Sequence, residues 1–189
     1  EFARVRQSYQ LPETFFVSIG TLQPRKNVES TIWAHRALSP AERIRTPLII
    51  IGRAGWKCDE VMQLIEEDSA SGAVRWLKHV PDADLLPVLK LASALVFPSL
   101  GEGFGLPVAE ALINRRPVLA RKLPVFDMFA GPNLTTFDDD APAALAASIS
   151  RWIESASAQD FGPQPEQAMT WKDTANHILA ILEENVPSP

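Results

Sequence analysis

The sequence predicts an α/β fold built on a doubly wound parallel β-sheet. Six short runs rich in apolar residues alternate with longer stretches in which apolar residues recur at helical spacing. The runs are continuous rather than alternating, which indicates strands buried on both faces of a sheet. Such strands separated by helices are typical of βαβ units.

The predicted elements follow one another along the whole chain. In chain order, the strands cover residues 15–19, 47–51, 74–77, 94–97, 117–120 and 134–137. The helical patterns cover residues 28–38, 57–70, 82–91, 106–114 and 141–154. Asn27 is a good N-cap for the first of these helices. Pro107 suits the first turn of the fourth, because its missing N–H is not needed there.

Composition predicts a single domain over residues 1–189. Hydrophobic residues make up 46% of the chain, enough for a sizeable core. Residues 155–165 are rich in Ser, Ala and Pro and predict a linker, and residues 166–189 contain a last helical pattern at 171–184. The net charge of −5 argues against a nucleic-acid partner.

The same composition gives expectations about location. No apolar run reaches the roughly 18 residues of a membrane-spanning helix. Cys58 is the single cysteine, so an internal disulfide is excluded, and a reducing compartment fits. We therefore expect a cytoplasmic protein, with peripheral contact to the inner membrane left open.

Residues 101–110 combine glycines and acids at the start of a predicted helix. The segment reads Gly-Glu-Gly-Phe-Gly-Leu-Pro-Val-Ala-Glu. Glycine lets the backbone approach a ligand and adopt positive φ. A helix N-terminus presents unpaired N–H groups that suit a phosphate. Glu102 and Glu110 can accept hydrogen bonds from hydroxyls, so the segment predicts a site for a ligand with both phosphate and sugar groups.

Four loops of marked composition follow predicted strands, at residues 20–27, 52–56, 78–82 and 99–105. Ligands bind outside the carboxyl ends of the strands in such sheets, so we expect these loops to converge. Arg25 and Lys26, in the first loop, could hold one diphosphate and stabilise it as a leaving group. The alternative is a solvated basic pair beside a helix start.

Two motifs together resemble a known family. Gly-Thr-x-x-Pro-Arg-Lys-Asn after the first strand, followed by Glu-Gly-Phe-Gly-Leu-Pro-x-x-Glu-Ala, is similar to the family 4 retaining glycosyltransferases. The resemblance implies a Rossmann-like sheet, the C-terminal half of the two-domain GT-B fold. It covers nearly the whole chain. The N-terminal acceptor domain of the family has no counterpart in this sequence, so we expect the isolated domain to be inactive or nearly so.

The resemblance assigns roles to matching residues. Arg25 and Lys26 would stabilise the donor diphosphate as the glycosidic bond breaks, and Glu102 would contact sugar hydroxyls near the reacting carbon. Glu110 would accept hydrogen bonds from the ribose. The nucleotide-sugar-binding residues implied in this way are Gly20, Thr21, Gly52, Arg53, Val80, Phe104, Gly105, Leu106 and Glu110.

The resemblance also implies the reaction partners. The donor would be a nucleotide diphosphate sugar, with no other cofactor and no metal. The basic loop and a Gly-x-x-Gly-Trp loop look most like those of bacterial polysaccharide mannosyltransferases, so we favour GDP-mannose over UDP-sugars. The acceptor would be a glycan or a lipid-linked glycan, bound through the N-terminal domain, in polysaccharide or lipopolysaccharide synthesis.

The sequence departs from the family pattern at two places. Arg115 stands where the turn after the Glu110 helix usually has glycine, so we expect a differently shaped turn. The segment 121–127 looks shorter than the usual loop and lacks the acid that commonly follows Leu-Pro. The second of these departures lies toward the sugar end of the expected site.

Other functions remain as alternatives at this point. A nucleotide-sugar epimerase of GT-B fold would use the same donor site, and a non-catalytic nucleotide-binding module would bind donor without transfer. Glu102 and Glu110 could suggest a glycoside hydrolase, but that class has no need of an Arg-Lys pair on a separate loop. His35, His79 and His177 are too widely spaced for a metal motif.

Overall fold

The computed structural model describes residues 1–138 and 141–155 and contains one six-stranded parallel sheet. The strands are β1 (Phe16–Ile19), β2 (Leu48–Ile51), β3 (Val74–Leu77), β4 (Ala94–Phe97), β5 (Val118–Arg121) and β6 (Leu134–Phe137). Their order across the sheet is β3-β2-β1-β4-β5-β6. Each lies within one residue of a predicted strand, so the predicted doubly wound α/β class is confirmed.

Seven α-helices surround the sheet in the described part of the chain. They are α1 (Phe2–Ser8), α2 (Val28–Arg36), α3 (Pro40–Arg45), α4 (Asp59–Ser69), α5 (Asp82–Leu91), α6 (Leu106–Ile113) and α7 (Pro142–Ser155). Five match the predicted helices. Ser155 ends α7, and the rest of the predicted linker and C-terminal helix lies outside the described residues.

Two helices, α1 and α3, were not predicted from the sequence. Each is a turn or two long, and only Val5 of α1 is buried, so neither shows a repeated apolar face. The start of α3 did carry a local signal. Ser39 and Glu42 form a reciprocal capping box, with Pro40 at the first helical position. Short helices of this kind are defined by their ends rather than by periodicity.

Two hydrophobic clusters lie on the two faces of the sheet. Leu48 and Ile50 of β2 belong to one cluster, with α2 and α4, whereas Ile49 and Ile51 belong to the other, with α5 and α6. All four side chains are buried. Because successive side chains of a strand point to opposite faces, a continuous apolar run fills both cores.

The strand order creates a crevice between β1 and β4. After β1 the chain proceeds outward through β2 and β3, and then returns to place β4 on the other side of β1. The helices that follow β1 and β4, α2 and α6, therefore pack on opposite faces of the sheet, and the loops that lead to them start side by side at its carboxyl edge. Open α/β sheets bind ligands at such a switch point.

The turn after α6 shows how the chain forms a regular helix end without glycine. Arg115 has φ 56°, the left-handed conformation that glycine usually provides there. Its N–H donates to the Leu112 carbonyl at 2.9 Å, and the Arg116 N–H donates to the Ala111 carbonyl at 2.8 Å. These two bonds form a Schellman motif. The expected change in the shape of this turn is therefore wrong.

No helix of the described ranges is both long and apolar enough to cross a bilayer.

Candidate functional site

The loops after β1 and β4 meet at the carboxyl edge of the sheet. The first continues from Gly20 into a one-turn 3-10 helix, Pro24–Lys26. The second runs from Pro98 to Gly105, where α6 begins. The Leu100 N–H donates to the Arg25 carbonyl at 2.8 Å, so a backbone hydrogen bond joins the two loops. This bond brings together the two segments that carry the sequence motifs.

Glu102 lies between the two cations of the first loop. Its Oε1 accepts a hydrogen bond from Lys26 Nζ at 2.8 Å and lies 3.0 Å from an Arg25 guanidinium nitrogen. The Glu102 side chain is 9% exposed and that of Lys26 is 14% exposed, whereas that of Arg25 is 46% exposed. The Lys26–Glu102 pair is therefore the less screened of the two ion pairs.

Ser99 completes this cluster and was not among the residues singled out from the sequence. Its Oγ lies 2.6 Å from Glu102 Oε1, 3.0 Å from the Arg25 carbonyl and 3.3 Å from the Gly101 carbonyl. The residue is 1% exposed. The sequence did contain an indication of this role. Ser99 is a small hydroxyl residue between a buried strand and the acidic loop, and a buried polar side chain at such a position needs a hydrogen-bond partner.

The environment of Glu102 favours its ionised form. Burial acts to raise the pKa of this carboxyl, but hydrogen bonds from Lys26, Ser99 and Arg25, together with the charge of Lys26, outweigh burial and hold the pKa below its usual value. Lys26 also lies over the Phe97 ring, 5.1 Å from its centroid. The cluster is thus charged and partly enclosed.

Asn27 occupies the predicted cap position of α2 by a different mechanism. It has φ 50° and makes no side-chain hydrogen bond to the helix backbone. Its Nδ2 donates to the Pro98 carbonyl at 3.3 Å, and its Oδ1 accepts from Ser30 Oγ at 2.7 Å. The predicted side-chain capping is therefore wrong, because this amide links the first loop to the end of β4.

Backbone N–H groups line the second loop. Within the described part of the chain, the N–H groups of residues 101–106 donate no hydrogen bond, although the flanking Leu100 and Val108 do. These groups include those of Phe104, Gly105 and Leu106. A run of free donors leading into a helix N-terminus is suited to phosphate oxygens.

The three glycines of the segment 101–105 differ in backbone conformation and in the space available for a side chain. Gly105 alone has positive φ, 84°, and a Cβ there would lie 2.5 Å from the Phe126 ring. At Gly101 and Gly103 a Cβ would meet nothing within 4 Å. The expectation of positive φ is thus confirmed only at Gly105. The other two glycines keep the surface of the loop open.

Gly20 and Gly52 lie against each other at the ends of β1 and β2. A Cβ on Gly52 would be 2.0 Å from the Gly20 carbonyl oxygen, so a side chain is excluded by backbone contact. At Gly20 a Cβ would be 3.4 Å from the Lys26 side chain. Thr21 and Arg53 lie next to these glycines and are exposed. The glycine pair therefore lets the two loops start side by side.

The remaining predicted residues lie around the edge without joining the cluster. Val80 is buried in a core cluster, so only its backbone can face a ligand. Glu110 is exposed, and no described residue donates to its carboxylate. Desolvation by nearby protein atoms raises its pKa. Thus Arg25, Lys26 and Glu102 meet directly, and no described side-chain contact joins Arg53 or Glu110 to them.

Trp56 lies in the loop after β2 and is an exposed aromatic residue near the site. The residue is 57% exposed, and its Nε1 donates to Gln23 Oε1 at 3.0 Å. This bond places the indole beside the first loop. Across the described ranges, no group of His, Cys, Asp or Glu side chains is arranged to hold a metal.

Comparison with known proteins assigns this arrangement to a family. The family described as "Glycosyl transferases group 1" matches residues 1–169. The chain belongs to this family. O-antigen chain mannosyltransferase B of Escherichia coli is 34% identical over 182 residues, which cover 93% of this chain and 47% of that protein. The serotype-specific mannosyltransferase WbdA of Escherichia coli is 32% identical over 176 residues, 92% of this chain and 21% of that protein.

Solved structures agree on the fold of the group 1 glycosyltransferase domain. Sucrose-phosphate synthase from Thermosynechococcus elongatus superposes with a TM-score of 0.79 at 21% identity, over 96% of this chain and 48% of that one. Anabaena Alr3699/HepE in complex with UDP gives a TM-score of 0.74 at 21% identity, over 98% of this chain and 52% of that one. The predicted GT-B type of sheet is therefore confirmed, and the chain spans about half or less of these proteins.

Proposed function

We propose that this chain is the donor-binding domain of a retaining glycosyltransferase that uses a nucleotide diphosphate sugar. The observation that carries the proposal is the convergence of Arg25 and Lys26 with the free N–H groups of residues 101–106 at the switch point. Cations and amides together suit a diphosphate. Membership in the glycosyltransferase family supports transfer over epimerisation or simple binding.

The proposed chemistry needs the protein to stabilise a departing diphosphate. The bond from the sugar C1 to the phosphate oxygen breaks, and its electron pair stays on the diphosphate. Arg25, Lys26 and the loop N–H groups neutralise the charge that develops there. The acceptor hydroxyl forms the new bond on the same face of the sugar, and its proton passes to the departing phosphate. No protein nucleophile is required.

We propose mannose as the sugar and a glycan of bacterial polysaccharide synthesis as the acceptor. The curated relatives support this, since both named above are mannosyltransferases and one is described as acting on the O-antigen chain. GDP-mannose is the donor that we favour. UDP-sugars are the alternative donors, because one structural neighbour was solved in complex with UDP. A cytoplasmic location belongs to the same proposal, in keeping with the free, buried Cys58.

Titration calorimetry of the 189-residue chain with GDP, UDP and ADP at fixed ionic strength tests the donor site. We expect measurable binding, strongest for GDP, and little transfer from GDP-mannose to added glycans by this chain alone. In a longer protein carrying this domain and an acceptor domain, we expect mannose transfer with retention. Absence of binding to every nucleotide at millimolar concentration would overturn the proposal.

A further inference from the structure

Glu102 places a carboxylate oxygen where the two cations of the β1 loop converge. Its Oε1 lies 2.8 Å from Lys26 Nζ and 3.0 Å from the Arg25 guanidinium. In the proposed function, the same two cations hold the donor diphosphate. A carboxylate and a diphosphate are both anions that bind such groups through charge-assisted hydrogen bonds. They therefore compete for the same donors.

We propose that Glu102 is an internal anion that occupies the diphosphate's place in the empty site and is displaced when the donor binds. This inference rests on the proposed function, because it assumes that Arg25 and Lys26 bind a diphosphate. It adds a step to that function. The ligand-free site keeps its cations paired, and donor binding exchanges one anion for another.

The Ser99 hydroxyl lies near a second acceptor, to which it can donate once Glu102 has been displaced. A hydroxyl donates one hydrogen bond at a time, and the shortest contact of Ser99 Oγ is with Glu102 Oε1, at 2.6 Å. The Arg25 carbonyl lies 3.0 Å from the same Oγ. When Glu102 leaves, Ser99 can turn to this carbonyl. Its buried hydroxyl is then satisfied in both states, which removes the cost of an unpaired donor.

The loop around Glu102 has space to change its conformation. Gly101 and Gly103 flank the acid, and a Cβ at either position would meet nothing within 4 Å. Glycine also allows backbone conformations that other residues disfavour. None of the N–H groups of residues 101–106 is tied to a described acceptor. Glu102 can therefore swing away without breaking any hydrogen bond donated by residues 101–106, while the Leu100 N–H and the Gly101 carbonyl keep the start of the loop bonded to Arg25.

Displacement also frees a carboxylate beside the sugar. The negative charge of Glu102 is balanced by Lys26 and Arg25 in the empty site, and these partners keep its pKa low. Once the diphosphate takes over those cations, the carboxylate needs new donors. Sugar hydroxyls can supply them, so donor binding itself would deliver Glu102 to the sugar.

Glu102→Gln in the 189-residue chain tests the exchange. Glutamine keeps the size and an acceptor oxygen but removes the competing charge. We expect GDP, UDP and inorganic pyrophosphate to bind this variant at least about 10-fold more tightly than they bind the unaltered chain, a change of about 1.4 kcal/mol. Titration calorimetry at constant ionic strength measures it. Glu67→Gln is the matched control, because it makes the same charge change at the far end of α4, and we expect no tightening there.

Equal or weaker affinity in a folded Glu102→Gln chain would overturn the proposal, since it would make Glu102 a support for the cations rather than their competitor. If this variant does not fold, Ser99→Ala takes its place. That change weakens the hold on Glu102 and should tighten pyrophosphate binding, whereas unchanged or weaker binding would count against the exchange. Tighter pyrophosphate binding without any binding of nucleotide would support the exchange and contradict the proposed function.

Discussion

Lys26 Nζ and Glu102 Oε1 are 2.8 Å apart, although the two residues are separated by 76 positions in the chain. Lys26 belongs to the loop after β1 and Glu102 to the loop after β4, and these strands are neighbours in the sheet. The ion pair is mostly enclosed, so its geometry is fixed more firmly than that of an exposed pair. It is the point at which the two motifs of the sequence become one site.

Loss of Lys26 should reduce transfer rather than folding. In a longer enzyme carrying this domain, we expect Lys26→Ala to lower kcat by about 10²–10³-fold, because one donor to the departing diphosphate is lost. Steady-state transfer from GDP-mannose measures the effect. Lys90→Ala removes a cation from the last turn of α5, away from the site loops, and serves as control. A kcat within a few-fold of the unaltered enzyme would contradict the role of Lys26 on the leaving group.

Glu110 should act on the ribose of the nucleotide. We expect Glu110→Ala to weaken GDP binding by about 10–100-fold, the usual range for hydrogen bonds to a charged group. Titration calorimetry with GDP and 2′-deoxy-GDP separates this role from a general loss of affinity. If Glu110 binds the ribose, removing the 2′-hydroxyl should cost less in the variant than in the unaltered chain. Equal losses in both chains would place Glu110 elsewhere.

Gly52 should tolerate no side chain. A Cβ there would lie 2.0 Å from the Gly20 carbonyl oxygen, so Gly52→Ala must push the two loops apart. We expect a loss of about 1–3 kcal/mol in the free energy of unfolding, as for overpacked sites. Gly72→Ala is the control, since that glycine also has positive φ, 72°, but no atom within 4 Å of a Cβ. Urea denaturation should find the smaller loss at Gly72.

Arg115 should be replaceable by glycine with a gain in stability. Its φ of 56° is left-handed, a conformation that costs a residue with a side chain about 1–2 kcal/mol. Glycine avoids that cost but loses more entropy on folding, about 0.5–1 kcal/mol. We expect Arg115→Gly to raise the free energy of unfolding by up to about 1.5 kcal/mol. Arg115→Ala keeps the strained backbone and should give no such gain.

His35 should make stability depend on pH between neutrality and mild acid. The ring is 1% exposed, and burial lowers its pKa. The pKa of a histidine in the unfolded chain is near 6.5. Just below this pH, His35 is therefore protonated more fully in the unfolded chain than in the folded chain, so the free energy of unfolding falls as the pH falls. We expect a loss of up to about 1.4 kcal/mol for each pH unit in the window just below 6.5.

Urea denaturation at pH 7.5 and pH 5.5 measures this dependence. His35→Gln removes the titrating group, and the difference between the two slopes isolates the histidine from the carboxylates. The Nε2 atom of His35 lies 2.9 Å from the Thr46 carbonyl, so the variant will also lose some stability at both pH values. Identical pH slopes for the two chains would show that His35 does not titrate in this window.

The sequence by itself determined which segments are strands, and it located the loops and motif residues to which we assign the proposed donor site. A strand that is buried on both faces is a continuous apolar run, which can be seen within one short segment of the sequence. Motif residues such as Arg25 and Glu110 are likewise visible in short segments. The short helices α1 and α3 escaped prediction, because they are defined by caps and contacts rather than by a repeated apolar face.

Only the tertiary structure decided how these local pieces meet. An apolar run does not specify its neighbour, so the adjacency of β1 and β4 was not encoded in any single segment. That adjacency makes Glu102 a partner of Lys26 and gives Ser99 its place between them. The left-handed Arg115 was hidden for a related reason. Two hydrogen bonds that close α6 impose this backbone conformation. An arginine in the sequence does not by itself indicate a left-handed backbone.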